Sequence, residues 1–343
     1  MVQPPAPGPS LWLSSSSHTA LSHLLLLESV NDLIVICLIS TIVLFSVISL
    51  VFIIHFHFKS QESQALQNFN SLCSVRVLLV TFISLWALAE FLRLPFTRRY
   101  LISHLTPDHQ ANICRLHIVL SFGLFEPGFL VTLLFLLSFS IKKKDPNDTF
   151  GSAVGVVLAL CLPVLTLQIY FVFFPNKTFF SELLWKSHVT IEDFGGESLV
   201  LCVYPLFGTI IFGVFGVVYA LYFFCACCKV VALVINRGLR IRLYALMLSV
   251  VVTVPLQVVL LVVSTLWNPV NPSYNGITLV MFLIVLLCAA VGEGILVIRP
   301  ILDALAVGRA LVWWKGSCRE PIVFEDNDRV KLAAAGSHAI DMR

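Results

Sequence analysis

The amino-acid sequence predicts an all-α bundle of seven transmembrane helices. Hydrophobic residues fill 58% of the 343 positions, charged residues fill only 12%, and the mean hydropathy is +0.95. Soluble domains carry roughly 25% charged residues, so a water-soluble globule is excluded as a class. The chain also contains seven apolar runs that are each long enough to cross the hydrocarbon core of a bilayer, which takes about 20 helical residues.

The seven runs are separated by segments that carry charges or turn-forming residues. They cover residues 33–55, 72–94, 116–141, 150–174, 199–225, 243–267 and 277–298. Residues 142–148 are charged and contain Pro146, and Pro and Asn are frequent in residues 268–272, so the chain leaves the membrane at both places. We find no internal repeat and expect one integral domain over residues 31–300. The Pro- and Ser-rich residues 1–30 predict a disordered extracytoplasmic tail.

The distribution of Lys and Arg between the loops sets the orientation. Of the 22 basic residues, six fall on the side of the N-terminus and sixteen on the opposite side. Because basic loops are retained on the cytoplasmic face during insertion, the N-terminus is predicted outside and the C-terminus in the cytosol. The sequon that begins at Asn176 falls in an outer loop, where the asparagine could be N-glycosylated or could remain unmodified.

The segment after the last run predicts a short interfacial helix over residues 301–316. It mixes charged and apolar residues and ends in Trp313 and Trp314, which is typical of a helix lying in the headgroup region. Cys318 follows beside basic residues and is either a palmitoylation site or an ordinary solvated thiol. Residues 317–343 predict a disordered cytoplasmic tail.

Eight of the ten cysteines lie in or at the ends of apolar runs, and their spacing predicts no disulfide framework. Three of them close the fifth run, namely Cys225, Cys227 and Cys228. They are either palmitoylation sites or plain thiols that face lipid. Small residues predict close helix contacts at three pairs, which are Gly151 with Gly155, Gly213 with Gly216, and Ala290 with Gly294.

Few polar side chains lie at membrane depth, and each one is a functional candidate because an ionisable group there costs several kcal/mol. The candidates are Arg76, Glu90, His117, Glu126, Gln257 and Glu293. Arg76 and Glu293 fall at similar depth near the cytoplasmic face. They could form an ion pair, or Arg76 could snorkel to the headgroups while Glu293 is protonated.

Glu126 is the deepest carboxyl and directly precedes Pro127, which frees a backbone carbonyl and bends the helix. Such a group suits a ligand pocket or a cation-coupled carrier, or it simply hydrogen-bonds the freed carbonyl. Glu90 is expected to pair with Arg93 one turn later, His117 to lie at the outer mouth of the third run, and Gln168 and Gln257 to make interhelical hydrogen bonds.

The patterns that carry most enzyme chemistry are missing. The sequence has no His-Glu-x-x-His, no intramembrane Asp pair, no Gly-x-Ser-x-Gly turn and no phosphate-binding loop. We therefore expect no enzyme activity, no cofactor and no metal.

The layout resembles that of seven-transmembrane receptors of the G-protein-coupled kind, and also that of uncharacterised seven-span plant membrane proteins. Cys114 at the outer start of the third run, Glu90, and the prolines of the last four spans carry the resemblance. The diagnostic motifs are absent, since residues 138–140 read Ser-Phe-Ser where that family has an acidic-Arg-Tyr triplet. The loop after the fourth run has no partner for Cys114, and Cys202 is expected inside the fifth span.

These observations predict a multi-pass protein of the plasma membrane or an endomembrane, receptor-like or scaffold in type. The bilayer and an unidentified small ligand or cytosolic protein are the expected partners, and nucleic acid is excluded by the small net charge of +3. A proton-coupled or small-solute transporter that uses Glu126 is the alternative.

Overall fold

A computed structural model of the chain describes residues 10–61, 72–94, 97, 106–139, 146–174, 187–192, 198–267, 269, 271–303 and 305–306. The chain divides into two compact units, residues 1–301 and residues 302–343. In the second unit the described positions, 302–303 and 305–306, are helical. The rest of the predicted interfacial helix, Cys318 and residues 317–343 lie outside the described residues.

The described residues form helices joined by one β-hairpin. In chain order the elements are α1 Ser10–Gln61, α2 Cys73–Arg93, α3 Pro107–Leu120, α4 Glu126–Phe139, α5 Pro146–Phe173, β1 His188–Glu192, β2 Ser198–Cys202, α6 Leu206–Leu233, α7 Arg237–Leu266 and α8 Pro272–Glu293. Two π-helical turns interrupt the α geometry. Ser121–Phe125 joins α3 to α4, and Gly294–Ile298 prolongs α8.

Seven helical stretches of the described residues are long and apolar enough to cross a membrane. They are Val30–Phe58, Cys73–Arg93, Pro107–Ser138, Gly151–Phe173, Leu206–Leu233, Arg237–Leu266 and Ser273–Asp303, and we call them the first to seventh spans. The predicted seven-helix all-α fold is thus confirmed, and the chain is a multi-pass membrane protein.

The spans close into a ring in which each one packs against the next and the first contacts the seventh. The third span lies at the centre, because α4 also contacts the second, fourth and fifth spans and the second π turn. Large apolar side chains point away from the bundle along the outer spans, as expected for lipid-facing surfaces. Leu44, Leu158, Val218, Leu221 and Leu248 are examples, each at least 45% exposed.

Two predicted span boundaries are wrong, for local reasons. Before the first span, helix α1 already begins at Ser10, and its Leu-rich residues 21–27 continue the helix where the sequence predicted a tail. The third span begins nine residues earlier than predicted, at Pro107, because proline at the first helical position suits a helix start. The fifth span begins at Leu206, after Pro205 at its N-cap, and not at residue 199.

Residues 198–202 form a strand and not the start of the fifth span. Strand β2 pairs antiparallel with β1, with His188 opposite Cys202. Cys202 is joined to Cys114 by a disulfide bond, so the prediction that Cys202 lies inside the fifth span and that the loop offers no partner for Cys114 is wrong. The apolar run misled the sequence argument, because a short apolar run fits either a strand or a helix end. We call the side of the bundle that carries this hairpin the hairpin face.

Glycines allow close helix contacts at some of the predicted positions. A Cβ at Gly213 or Gly216 would lie 3.1 Å from a side-chain carbon of the sixth span, which confirms that pair. The prediction is wrong for Gly151, Gly155 and Gly294, because a Cβ there would meet nothing within 4 Å. The tightest contact is at Gly128, where a Cβ would lie 2.6 Å from the ring of Phe82.

Candidate functional site

A cluster of polar side chains lies inside the bundle between the second, third and sixth spans. We call it the polar cluster, and its members are Trp86, Glu90, Arg93, His117, Ser121, Glu126 and Gln257. Four of the six candidates predicted from the sequence therefore meet in one place. All of these side chains are buried apart from Arg93, which is about one tenth exposed.

The backbone of the third span places Glu126 at the centre of the cluster. Pro127 has no N–H to donate and its ring crowds the carbonyl four residues earlier, so a regular helix is disfavoured here. The chain responds with the π turn, in which the Glu126 N–H donates to the Ser121 carbonyl. This turn brings the side chains of Ser121 and Glu126 to the same side of the span.

Three uncharged donors surround the Glu126 carboxyl. The Trp86 indole N–H donates to Oε1 over 3.1 Å, and the Ser121 hydroxyl lies 3.5 Å from the same oxygen. The Gln257 amide donates to Oε2 in a short hydrogen bond, which confirms the predicted interhelical role of this glutamine. Because indole and amide N–H groups only donate, Glu126 acts as the acceptor for both neighbouring spans.

Ser121 links Glu126 to a second carboxyl nearer the hairpin face. The Ser121 hydroxyl lies 3.4 Å from Glu90 Oε1, and Glu90 Oε2 lies 3.1 Å from Arg93 Nε, which confirms the predicted ion pair. His117 donates from Nδ1 to the Ala89 carbonyl over 3.0 Å, and its Nε2 lies 3.8 Å from Glu90 Oε1. A chain of polar groups therefore runs from Arg93 to Gln257.

His117 lies within the bundle and not at its outer mouth. The third span begins at Pro107, ten residues before His117, and strand β2 packs against α3. The His117 side chain is therefore fully buried. The prediction of a mouth position is wrong for this reason.

Arg93 connects the polar cluster to the hairpin face. Its guanidinium interacts electrostatically with Tyr204, Glu90 and Tyr274. Tyr274 also donates to the Cys202 carbonyl over 3.2 Å, which ties the seventh span to strand β2. Burial raises the pKa of the Tyr204 phenol well above its ordinary value, although Arg93 opposes the shift, so Tyr204 keeps its proton.

A cavity opens at the hairpin face above the polar cluster. It is open to solvent and has a cavity volume of about 60 Å³, and Arg93 forms part of its wall. The other polar side chains in its lining are Asn31, Asp32, Tyr274, Asn275 and Thr278, and strand β2 contributes Leu201 and Cys202. A molecule entering this cavity therefore reaches Arg93, the first member of the polar cluster.

The two remaining candidates, Arg76 and Glu293, do not join the polar cluster. Glu293 is fully buried and accepts a hydrogen bond from Ser46 over 3.2 Å. Arg76 is buried beside Cys73. Arg76 and Glu293, both described residues, form no ion pair with each other, so the predicted pair is wrong. The partner of Glu293 is the Ser46 hydroxyl.

The modification candidates are distributed differently from what the sequence suggested. Cys225 and Cys228 are exposed on the fifth span, but Cys227 is fully buried and faces the bundle. The fifth span continues to Leu233, so these cysteines do not close it. Palmitoylation of Cys225 and Cys228 stays a prediction, while Asn176 and Cys318 lie outside the described residues.

Sequence reasoning missed Trp86, Ser121 and Ser46 as partners of the buried carboxyls. Trp86 and Glu90 are four residues apart and therefore share one face of the second span, which was a usable signal. Ser121 gave no such signal, because only the π turn aligns it with Glu126. In the described part of the chain, no group of three or more His, Cys, Asp or Glu side chains is placed to hold a metal ion.

Comparison with known proteins gives one family. A family model described as "Uncharacterised conserved protein UCP031277" matches residues 25–311, which covers all seven spans. No curated protein matches the chain.

Proposed function

We propose a receptor-like function for this chain, which belongs to the family described as Uncharacterised conserved protein UCP031277. In this proposal the cavity at the hairpin face binds a small ligand, and the polar cluster senses its presence. The role is one of binding and not of catalysis. The single observation that carries the proposal is the continuous polar connection from the cavity wall at Arg93 to Glu126 at the π turn.

The hairpin face is the outer face in this proposal. Disulfide bonds persist in oxidising compartments and are rare in the cytosol, so the Cys114–Cys202 bond favours an extracytoplasmic position for the hairpin. The excess of Lys and Arg on the opposite side favours the same orientation. The cavity would then open to the cell exterior or to the lumen of an organelle.

The chemistry of the cavity favours a small polar ligand with an anionic group for Arg93, and the Asp32 carboxyl in the same lining favours a cationic group on that ligand. Arg93 offers a planar set of donors that matches a carboxylate or phosphate, while Tyr274, Asn275 and Thr278 supply neutral hydrogen-bonding groups. A ligand anion that competes for Arg93 would weaken the bond of Arg93 to Glu90. Glu90 shares Ser121 with Glu126, so the disturbance would reach the π turn, a backbone feature often found at functional sites.

A ligand screen on the purified full-length chain tests this proposal. Small carboxylates, phosphates and amino acids are added one at a time, and the Tm is followed by tryptophan fluorescence. We expect at least one compound to raise the Tm of the native chain but not that of Arg93→Gln. Arg115→Gln is the matched control, because Arg115 lies on the same span end as Cys114 and bonds Asn112 in an exposed position. A hit that persists in Arg93→Gln, or no hit in any of the three classes, would contradict the proposal.

A proton-coupled or small-solute carrier is the second candidate, and the surroundings of Glu126 favour it. Among the described residues its carboxyl accepts hydrogen bonds from the uncharged donors Trp86, Ser121 and Gln257, so uptake of a proton breaks no ion pair of Glu126 itself. The Gln257 amide can rotate and present its oxygen to a protonated carboxyl. The test is uptake of candidate solutes into proteoliposomes, driven by a pH gradient. We expect uptake by the native chain and no uptake by Glu126→Gln. Absence of uptake by the native chain would exclude the carrier.

A further inference from the structure

We propose that Glu293, Ser46 and Ser49 form a binding site for one sodium ion between the first and seventh spans. The site is separate from the polar cluster and does not depend on the proposed receptor function. Tyr274 bonds Cys202 at the hairpin face, and Glu293 lies about 28 Å farther along the seventh span. Cys114 is also bonded to Cys202, and Glu126 lies about 18 Å farther along the third span. The sodium site is therefore about 10 Å deeper than the polar cluster.

The three side chains face one another across two packed helices. Glu293, Ser46 and Ser49 are each fully buried. Glu293 Oε2 accepts from the Ser46 hydroxyl over 3.2 Å, and the Ser49 hydroxyl lies beside the same carboxyl. Since Ser46 and Ser49 are three residues apart, both project from one face of the first span. Together they offer four side-chain oxygens in one place.

Two of these four oxygens lack a hydrogen bond of regular geometry. Among the described residues, Glu293 Oε1 and Ser49 Oγ have no such bond, although the Ser49 hydroxyl interacts with the Glu293 carboxyl at close range and both atoms are shielded from solvent. Buried polar atoms are nearly always paired, and those that are not call for an explanation such as an unseen ion. A cation placed between Glu293 Oε1 and Ser49 Oγ would coordinate both atoms at once.

The charge of the site selects a monovalent ion. No Lys, Arg or His of the described chain forms an ion pair with Glu293, so an ionised carboxylate would be a bare charge at membrane depth. One monovalent cation neutralises it, whereas a divalent cation would leave a net positive charge in the apolar interior. Carboxylate and hydroxyl oxygens are hard ligands, which excludes soft metal ions.

The backbone at Glu293 departs from regular α geometry. Single π-helical turns inside α-helices are frequently found at functional sites. Glu293 is the last residue of α8, and the π turn Gly294–Ile298 follows it directly. The helix is thus irregular at the one position in the seventh span that carries a buried carboxyl.

Thermal unfolding of the purified full-length chain tests the site. The Tm is compared in sodium chloride and in choline chloride at equal concentration. At a sodium concentration of roughly ten times Kd, we expect sodium to raise the Tm of the native chain by about 3 °C. Potassium chloride should give a smaller shift. The shift should vanish in Glu293→Gln and in Ser49→Ala, and the second variant keeps the carboxyl in case the first does not fold.

The matched control is Ser40→Ala, which removes a hydroxyl from the same span. Ser40 bonds the Ile36 carbonyl over 2.8 Å in an exposed position, so its loss should leave the sodium shift intact. Equilibrium dialysis with radioactive sodium should show one ion retained per native chain. Three results would each overturn the proposal: equal Tm values in sodium and choline, a sodium shift that survives Glu293→Gln, and no retained sodium. The last result would assign a bound proton to Glu293 instead of sodium.

Discussion

At the scale of single residues, Glu126 is held by groups that lose their partner when the carboxyl is removed. Trp86 and Gln257 both donate to it from neighbouring spans. A buried donor left without an acceptor costs about 1–3 kcal/mol, which is more than the net gain from forming one hydrogen bond. Deleting the Glu126 carboxyl is therefore expected to lower the free energy of unfolding mainly because buried donors lose their acceptor.

We predict that Glu126→Leu and Gln257→Leu are strongly non-additive. Each single change leaves a buried polar group without its partner, while the double change removes both groups. We expect a coupling of about 1–3 kcal/mol in the free energy of unfolding, measured in mixed detergent micelles. Pairing Glu126→Leu with Gln168→Leu is the control, because Gln168 bonds the Gly208 carbonyl over 2.9 Å and is not bonded to the cluster. Additive energies for Glu126 and Gln257 would contradict the prediction.

The sequence identified most members of the polar cluster but not Trp86, Ser121 or the geometry that joins them. Charged or amide groups inside apolar runs are conspicuous, so Glu90, His117, Glu126 and Gln257 could be found from the cost of burying them. Their convergence depends on which helix faces meet, and this is fixed by packing of the whole bundle. Ser121 was invisible for the same reason, because hydroxyls are common in membrane helices and need no special partner.

At the scale of helices, Gly128 of the third span packs against the ring of Phe82 in the second span. We predict that Gly128→Ala lowers the free energy of unfolding by about 1–3 kcal/mol, since the new methyl group must displace the Phe82 ring. A Cβ there would lie 2.6 Å from that ring. Tm and unfolding in mixed micelles would both report the loss.

Gly151→Ala is the matched control for this change. A Cβ at Gly151 meets nothing within 4 Å, so the substitution should only add helix propensity, a gain of up to about 1 kcal/mol. Equal stability for the Gly128 and Gly151 variants would show that the contact between the second and third spans is not tight.

Helix positions were predictable because length and hydropathy alone define a membrane span. The second span, predicted at residues 72–94, is Cys73–Arg93 in the structure. The start of the fifth span was not predictable, since residues 199–202 are as apolar as the helix that follows Pro205. The π turns were also hidden, because Pro127 indicates a bend in the helix but not its type.

At the scale of the whole molecule, the orientation is open to direct test. Epitope tags are placed at both termini, and antibody access is measured before and after permeabilisation of the membrane that holds the protein. We predict that the N-terminal tag is reached from the outer side and the C-terminal tag only from the cytosol, because seven spans separate the termini. Two tags that react on the same side would exclude an odd number of crossings.

The disulfide bond connects two parts of the chain that are 88 residues apart. We predict that Cys114→Ser and Cys202→Ser each lower the free energy of unfolding by about 2–5 kcal/mol, and that the double variant is no worse than either single one. The exposed Cys37 is the control, and Cys37→Ser should change little. Additive losses for Cys114 and Cys202 would show that the two thiols act separately.

The first π turn also sets a rule for deletions in the third span. Since a π turn is an α-helix with one residue inserted, removing one residue from Ser121–Phe125 should restore unbroken α geometry. Every residue before the cut would then rotate by about 100° relative to α4. This rotation would move Cys114 away from Cys202 and His117 away from Glu90. A one-residue deletion in this turn would therefore break both the disulfide bond to the hairpin and the contacts of the polar cluster.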